Sequence, residues 1–224
     1  MNIDSTWPTT IEDARAVQRQ IRARVDLTDS FADGRVPELV AGIDAGYEGE
    51  VARCAIVVLR FPELTVVEHT VARAPADFPY IPGFLSFREG PAVLAALAQL
   101  QHTPDLLIFD GQGIAHPTRC GIASHIGVLT DLPSIGCAKS RLIGEHDDVP
   151  DERGAAVPLW DRGEPIGEVL RSRANVKPLF ISPGHRVSIE RATSLVMACV
   201  TKYRLPETTR LAHNLASNGV VPEI

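Results

Sequence analysis

The sequence predicts an α/β fold built on one mixed sheet, with a three-strand antiparallel meander joined to parallel strands and helices on the flanks. Two patterns carry that expectation. The strand-like runs "LVAGID" (39–44), "VARCAIVVLR" (51–60) and "LTVVEHTVAR" (64–73) are separated only by "AGYEGE" and "FPE", and connections this brief allow hairpins and nothing else. A helical segment ending in "AVLAALAQL" near residue 100 then leads to "DLLIFD" (105–110), an apolar run without alternation, as expected of a parallel strand covered on both faces.

The remaining elements follow in order. Thr9 with Glu12 three residues on is a capping-box pattern, and Ala14, Val17 and Ile21 repeat at helical spacing, so a first helix is expected over about 10–25. The Pro-rich "APADFPYIPG" is a loop before the second helix. "TRCGIASHIGVLTD" is a further helix and "PSIGCA" (133–138) a short strand. Residues 144–168, polar and rich in Gly, Pro and acid, are expected to form a surface excursion or hairpin. "IGEVLRSR" and "KPLFISP" pair as a hairpin, Ile189 to Tyr203 is an amphipathic helix, and a last helix runs from Pro206 to Gly219.

With 45% hydrophobic and 22% charged residues, 224 residues suit a single domain spanning 1–224. The longest apolar runs fall far short of the roughly 18 residues of a membrane span, and "MNIDSTWPTT" carries no export signal, so a cytoplasmic protein without membrane partners is expected. Cys54, Cys120, Cys137 and Cys199 are widely spaced and read as reduced core residues. The net charge of −6 argues against nucleic acid as a partner, yet Arg171, Arg173, Lys177, Arg186 and Arg191 form a local basic strip able to meet phosphates.

Two hairpins reverse direction twice, so the helix after the third strand starts at the carboxyl edge of the first. A strand fed by its return crossover ends at that edge too. Asp44 and Asp110 therefore meet there, and Glu89 joins them from its helix, on the face it shares with Val93, Ala96, Leu97 and Leu100. Pro91 either starts that helix or kinks it. Singly, each acid reads as a turn former or cap; three converging carboxylates repel one another unless a hard cation neutralises them.

Around that edge, Gly111 and Gly113 permit close backbone approach, although tight turns use such a pair equally often. His116 and Arg119 stand where the next helix begins, as anion ligands or as cap and surface arginine. Lys139 emerges beside the aspartates or pairs at the surface. Tyr80, between Pro79 and Ile81-Pro82, is an aromatic on a rigid loop, suited to wedging among bases or to packing on its own domain. His185 precedes a helix as a phosphate contact, with Arg186 beside it, or as a cap. His213 either completes a metal site or lies on an ordinary polar helix face.

The blocks "GID" (42–44), "FPYIPGFLSFREGP" (78–91), "FDGQGIAHPTRCGIASHIGV" (109–128), "LPSIGCAKSRLIG" (132–144), "ISPGHRVS" (181–188) and "LPETTRLAH" (205–213) resemble the endonuclease V (deoxyinosine 3′ endonuclease, deoxyribonuclease V) family over most of the chain. The resemblance implies a ribonuclease H-like fold, magnesium dependence with manganese able to substitute, and hydrolysis of the second phosphodiester 3′ to deoxyinosine in DNA. It assigns metal binding and catalysis to Asp44, Glu89 and Asp110, with His213 as a further ligand and Lys139 at the scissile phosphate. It makes Tyr80, with Pro79, Ile81 and Pro82, the wedge, and Gly83, Leu85, His116, Gly121, Ile122 and Ala138 the base pocket. Phe109, Gly46 and Arg141 depart from the residues usual in the family without removing a ligand. A non-cleaving inosine-binding module, or a same-fold nuclease preferring inosine RNA or branched DNA, are the alternatives. Nothing in the sequence demands more than a monomer.

Overall fold

The computed structural model describes residues 7–221. Its spine is one eight-stranded mixed sheet. The meander comprises β1 (Leu39–Glu48), β2 (Val51–Arg60) and β3 (Thr65–Pro75), followed by β4 (Leu106–Phe109), β5 (Ser134–Ala138), β6 (Ala156–Asp161), β7 (Glu164–Leu170) and β8 (Leu179–His185). The spatial order is β3-β2-β1-β4-β5-β8-β7-β6. β1, β4 and β5 run parallel, and the strands outside them antiparallel. The expected α/β mixed sheet with its meander is therefore present. The stretch expected as an excursion or hairpin supplies β6 and most of β7, and β7 also pairs with β8.

Five α-helices flank the sheet: α1 (Ile11–Arg24), α2 (Leu85–Leu97), α3 (Ile122–Thr130), α4 (Ile189–Ala198) and α5 (Glu207–Asn218). Their distribution follows from strand alternation. Ala41 and Ile43 face a core shared with Ala92, Val93 and Ala96 of α2 and Ala123 and Ile126 of α3. Val40, on the other face, packs with Leu195 and Val196 of α4 and Leu211 and Leu215 of α5. Gly42 lies in register with Val40 and lets α5 come in close: a Cβ there would stand 1.9 Å from the Thr208 carbonyl oxygen. All four cysteines are buried, and burial pushes the Cys120 and Cys199 thiols up to about 12.

Several boundaries differ from the sequence expectation. The N-cap of α1 is Thr10, not Thr9, because Thr10 accepts the Asp13 N–H at 3.1 Å while its hydroxyl donates to the Asp13 carboxylate. β1 continues four residues past Asp44, since the β1–β2 hairpin projects beyond the end of β4. Pro91 neither starts nor breaks α2; it lies inside it. Proline removes the N–H that would bond the carbonyl four residues back, and the Trp7 indole N–H takes that Phe87 carbonyl instead, at 2.5 Å. α4 stops at Ala198 rather than Tyr203, its end closed by the Glu207 N–H on the Cys199 carbonyl at 2.8 Å. Among the described residues, no helix is long and apolar enough to cross a membrane.

Candidate active site

The last parallel pair between β1 and β4 is Ile43 with Phe109, and the Asp110 N–H bonds the Ile43 carbonyl at 2.9 Å. Asp44 and Asp110 are thus the next residues on adjacent strands. α5, seated against Gly42, brings His213 to the same place, where its Nδ1 lies 2.9 Å from Asp44 Oδ2. Ligand atoms of Asp44, Asp110 and His213 all fall within 4.8 Å of one another. Burial, and then the neighbouring charge of Asp110, raise the Asp44 carboxyl above its ordinary range, with His213 opposing. Two half-buried carboxylates and an imidazole in mutual reach fit a hard divalent cation, which would relieve that repulsion.

Lys139, the first residue past β5, forms an ion pair with Asp110. Arg204 fixes the strand end behind it, donating to the Lys139 and Pro178 carbonyls, each at 2.9 Å, and to the Lys177 carbonyl at 2.7 Å. Sequence reading missed Arg204, whose only visible signal was its place just before "LPETTRLAH".

Glu89 reaches the edge from the other side. α2 covers the face of Ala41 and Ile43, whereas Asp44 shares the face of Gly42 and α5, so Glu89 stands outside the three-residue group. It is buried and accepts the Tyr47 hydroxyl at 3.1 Å. Burial raises its pKa to about 8, with the charges of Asp44 and Asp110 adding to the rise. Tyr47 was not foreseen because β1 was expected to end at Asp44; the signal was the alternation Ile43, Ala45, Tyr47 toward α2. Arg88 lies over the Tyr47 ring, 5.0 Å from its centroid.

On this α2 and α3 face, next to Asp110 and Lys139, opens a cavity of about 430 Å³. That is within the range of small-molecule sites. Gly83, Leu85, His116, Gly121, Ile122 and Ala138 all line it, together with Tyr80, Ile81 and Pro82. Pro79 does not. Pro82-Gly83 forms a tight turn, with Gly83 at φ +85° and the Phe84 N–H on the Ile81 carbonyl at 3.0 Å, the left-handed position that favours glycine. The turn holds Tyr80 out at 72% exposure. The floor is set by close packing at Gly121, where a Cβ would meet the Gln112 carbonyl oxygen at 2.2 Å. His116 is buried and held neutral, its pKa lowered to about 4 by burial. Its Nδ1 accepts the Thr118 N–H at 3.3 Å, leaving Nε2 to face the Gly83 backbone. Ser86, Gln112, Arg141 and Leu142 also line the cavity.

Three expected phosphate contacts lie elsewhere. His185 pairs with Ser134, the first residue of β5, whereas Lys139 follows its last, so His185 and Arg186 are at the opposite edge of the sheet. β8 runs antiparallel to β5, and that carries its end away from the aspartates. There His185 Nδ1 accepts the Asp26 N–H at 3.2 Å and Arg186 pairs with Asp131 at 2.8 Å. Arg119 pairs with Asp161 at 2.7 Å and is absent from the cavity lining. The basic strip is largely consumed as well: Arg171 pairs with Asp151 at 3.4 Å, Arg191 with Asp29 at 3.1 Å, and Arg173 bonds the Lys202 carbonyl.

A metal-capable acidic cluster at one end of a cavity roomy enough for a nucleobase, on a mixed sheet, fits a metal-dependent nuclease. A family model for Endonuclease V matches residues 19–214. Endonuclease V of Roseiflexus sp. (strain RS-1) is 58% identical, over 99% of this chain and 98% of its own. That of Nostoc punctiforme is 52% identical, over 96% and 97%. The crystal structure of Endonuclease V from Streptomyces avermitilis superposes with TM-score 0.90 at 44% identity, covering 96% of this chain and 94% of that one. Ciona intestinalis Endonuclease V, in complex with a 24mer DNA containing an inosine followed by a ribo-adenosine, does so with TM-score 0.79 at 27% identity, covering 93% and 97%. The chain belongs to the endonuclease V family of nucleases.

Proposed function

We propose that the protein is a magnesium-dependent, cytoplasmic, monomeric repair endonuclease that hydrolyses the second phosphodiester bond 3′ to deoxyinosine in DNA and leaves a 5′ phosphate. The observation that supports this most is the juxtaposition of the 430 Å³ cavity with Asp110, which belongs both to its lining and to the Asp44–Asp110–His213 cluster. The Ciona relative's inosine-containing DNA points the same way.

Asp44, Asp110 and His213 would hold the ion, with Glu89 adjacent. Bound there, magnesium, or manganese in its place, supplies Lewis-acid polarisation of a phosphoryl oxygen and water of lowered pKa. The chain's own groups do the rest. His213 fixes the rotamer of Asp44 through their 2.9 Å contact. Lys139, paired with Asp110, places a positive charge beside the phosphate and opposes the charge that develops on it in the transition state. Water adds to phosphorus and loses a proton to solvent, the P–O3′ bond breaks, and the 3′ oxygen takes a proton from solvent.

Recognition falls to the α2 and α3 face. Extruding a base costs a few kcal/mol of unstacking. Exposed Tyr80 offsets this by stacking where the base was, worth about 1–3 kcal/mol. Neutral His116 braces Gly83 and keeps the wedge turn against the cavity.

An Asp44→Ala protein is expected to lose nicking of inosine duplexes while still binding them; nicking at the wild-type rate contradicts the reading. Competition among inosine DNA, inosine RNA and branched DNA decides substrate preference, with inosine DNA expected to win. A non-cleaving binder would keep full function in chelator.

A further inference from the structure

Behind the wedge turn lies a second cleft of about 410 Å³, walled on one side by Arg15, Arg19 and Arg22 of α1 and on the other by Gly83, Pro117 and Thr118. It shares Pro82, Gly83 and His116 with the base-sized cavity and includes neither Asp110 nor Lys139. The two are neighbours across one thin wall, and the second cleft lies on the side of the wedge away from Asp110 and Lys139.

The arginines stand at i, i+4 and i+7 and so share one stripe of α1. The adjacent stripe of Ala14, Gln18 and Ile21 is buried, and Gln18 Nε2 donates to the Gly83 carbonyl at 2.7 Å. The row is thereby fixed relative to the wedge turn. Among the described residues no carboxylate pairs with Arg15, Arg19 or Arg22, and all three are exposed; Arg88, Arg153, Arg173 and Arg204 also lack a carboxylate but donate to backbone carbonyls, and Arg24, Arg60 and Arg141 lie outside this cleft. Glu164, which borders the next cleft beside Arg22, is engaged by Arg119. Like charges one turn apart repel. Three exposed arginines lining one cleft, with no carboxylate partner among the described residues, form a place where an external anion can bind.

We propose that this row on α1 is a phosphate track that grips the nucleic-acid backbone beyond the wedge, so that substrate is held on both sides of the extruded base. Arg15 to Arg22 spans about 10 Å at 1.5 Å per residue. Phosphates of one strand recur about every 3.4 Å of the duplex axis, so three arginines spread over about 10 Å can each meet one. The inference rests on the proposed action on inosine-containing DNA. The backbone has two sources: the 5′ flank of the cleaved strand, or the complementary strand displaced by Tyr80.

The test is binding in chelator, by fluorescence anisotropy across a salt series, for wild type, an Arg15→Gln/Arg19→Gln/Arg22→Gln triple variant, and the corresponding triple Lys variant. The probes are an inosine duplex, the inosine single strand, and that strand trimmed 5′ of the inosine. The Gln variant is expected to lose about 2.7 from the slope of log K against log salt on duplex, or about 2 on single strand, and the Lys variant to recover it. A loss confined to duplex assigns the track to the complementary strand; a loss on single strand that trimming removes assigns it to the 5′ flank. An unchanged slope on every probe, or a Lys variant no better than Gln, overturns the proposal. Failure of the activity itself would show instead as wild type not nicking inosine duplex in magnesium, whatever the slopes.

Discussion

Gly42→Ala tests how the fold builds the site. Val40, Gly42 and Asp44 share one face of β1, and the new methyl would stand 1.9 Å from the Thr208 carbonyl oxygen and 2.7 Å from its Cα. Both atoms are backbone, so no rotamer change relieves the clash. Reaching the 3.4 Å of ordinary contact requires α5 to withdraw by about 1.5 Å. The helix carries His213 five residues beyond Thr208, so its 2.9 Å contact with Asp44 opens beyond hydrogen-bond reach. Overpacking of this kind costs about 1–3 kcal/mol, or roughly 2–12 °C in melting temperature for a chain of this size. A displacement of about 1 Å in a catalytic group costs on the order of 100-fold in rate. The assays are thermal unfolding and single-turnover nicking of an inosine duplex in magnesium. A variant with unchanged melting temperature and wild-type nicking would refute the reasoning that α5 positions His213 by seating on Gly42.

Other consequences follow from the same geometry. In metal-free protein, the folded state holds the Glu89 carboxyl at about 8 against 4.5 in an unfolded chain, so the unfolded chain ionises first and stability falls as pH rises from about 4.5 to 8. Glu89→Gln removes that penalty and is expected to gain up to about 5 kcal/mol at pH 9 and almost nothing at pH 4; equal shifts in denaturant midpoint at both pH values would contradict it. Tyr80→Ala should leave the melting temperature unchanged, since the ring is 72% exposed, and lower kcat/KM on inosine duplex by roughly 5- to 150-fold. Unaltered kcat/KM would remove the wedge. Arg186→Ala, at the far edge of the sheet, should lose no more than about 1 kcal/mol from its partly exposed pair with Asp131 and nick within about twofold of wild type. A large rate loss would show that edge to contact substrate.

The meander, the parallel crossover and the meeting of Asp44 with Asp110 were legible because they follow from turn length and strand direction alone. The face from which each acid arrives was not. Glu89 shares an edge with the aspartates but comes through α2, on the side opposite α5, and strand periodicity reveals sidedness only once the strand's true length is known. Ending β1 at Asp44 rather than Glu48 hid Tyr47. His185 and Arg186 were misplaced for a related reason: local sequence gives a strand's existence, while its direction in the sheet depends on pairing with distant β5. The arginine row on α1 was invisible in a different sense. Arg15, Arg19 and Arg22 look like any solvated helix face until the fold places all three in one cleft beside the wedge turn.

The most direct measurement is the position of the nick in an end-labelled duplex carrying one deoxyinosine, beside an undamaged duplex, in magnesium and in chelator. Cleavage at the second phosphodiester 3′ to inosine, in magnesium only and absent from the undamaged strand, is the expected result, with base recognition and hydrolysis at the two ends of one cavity. Cleavage indifferent to inosine, or undiminished by chelator, would contradict it.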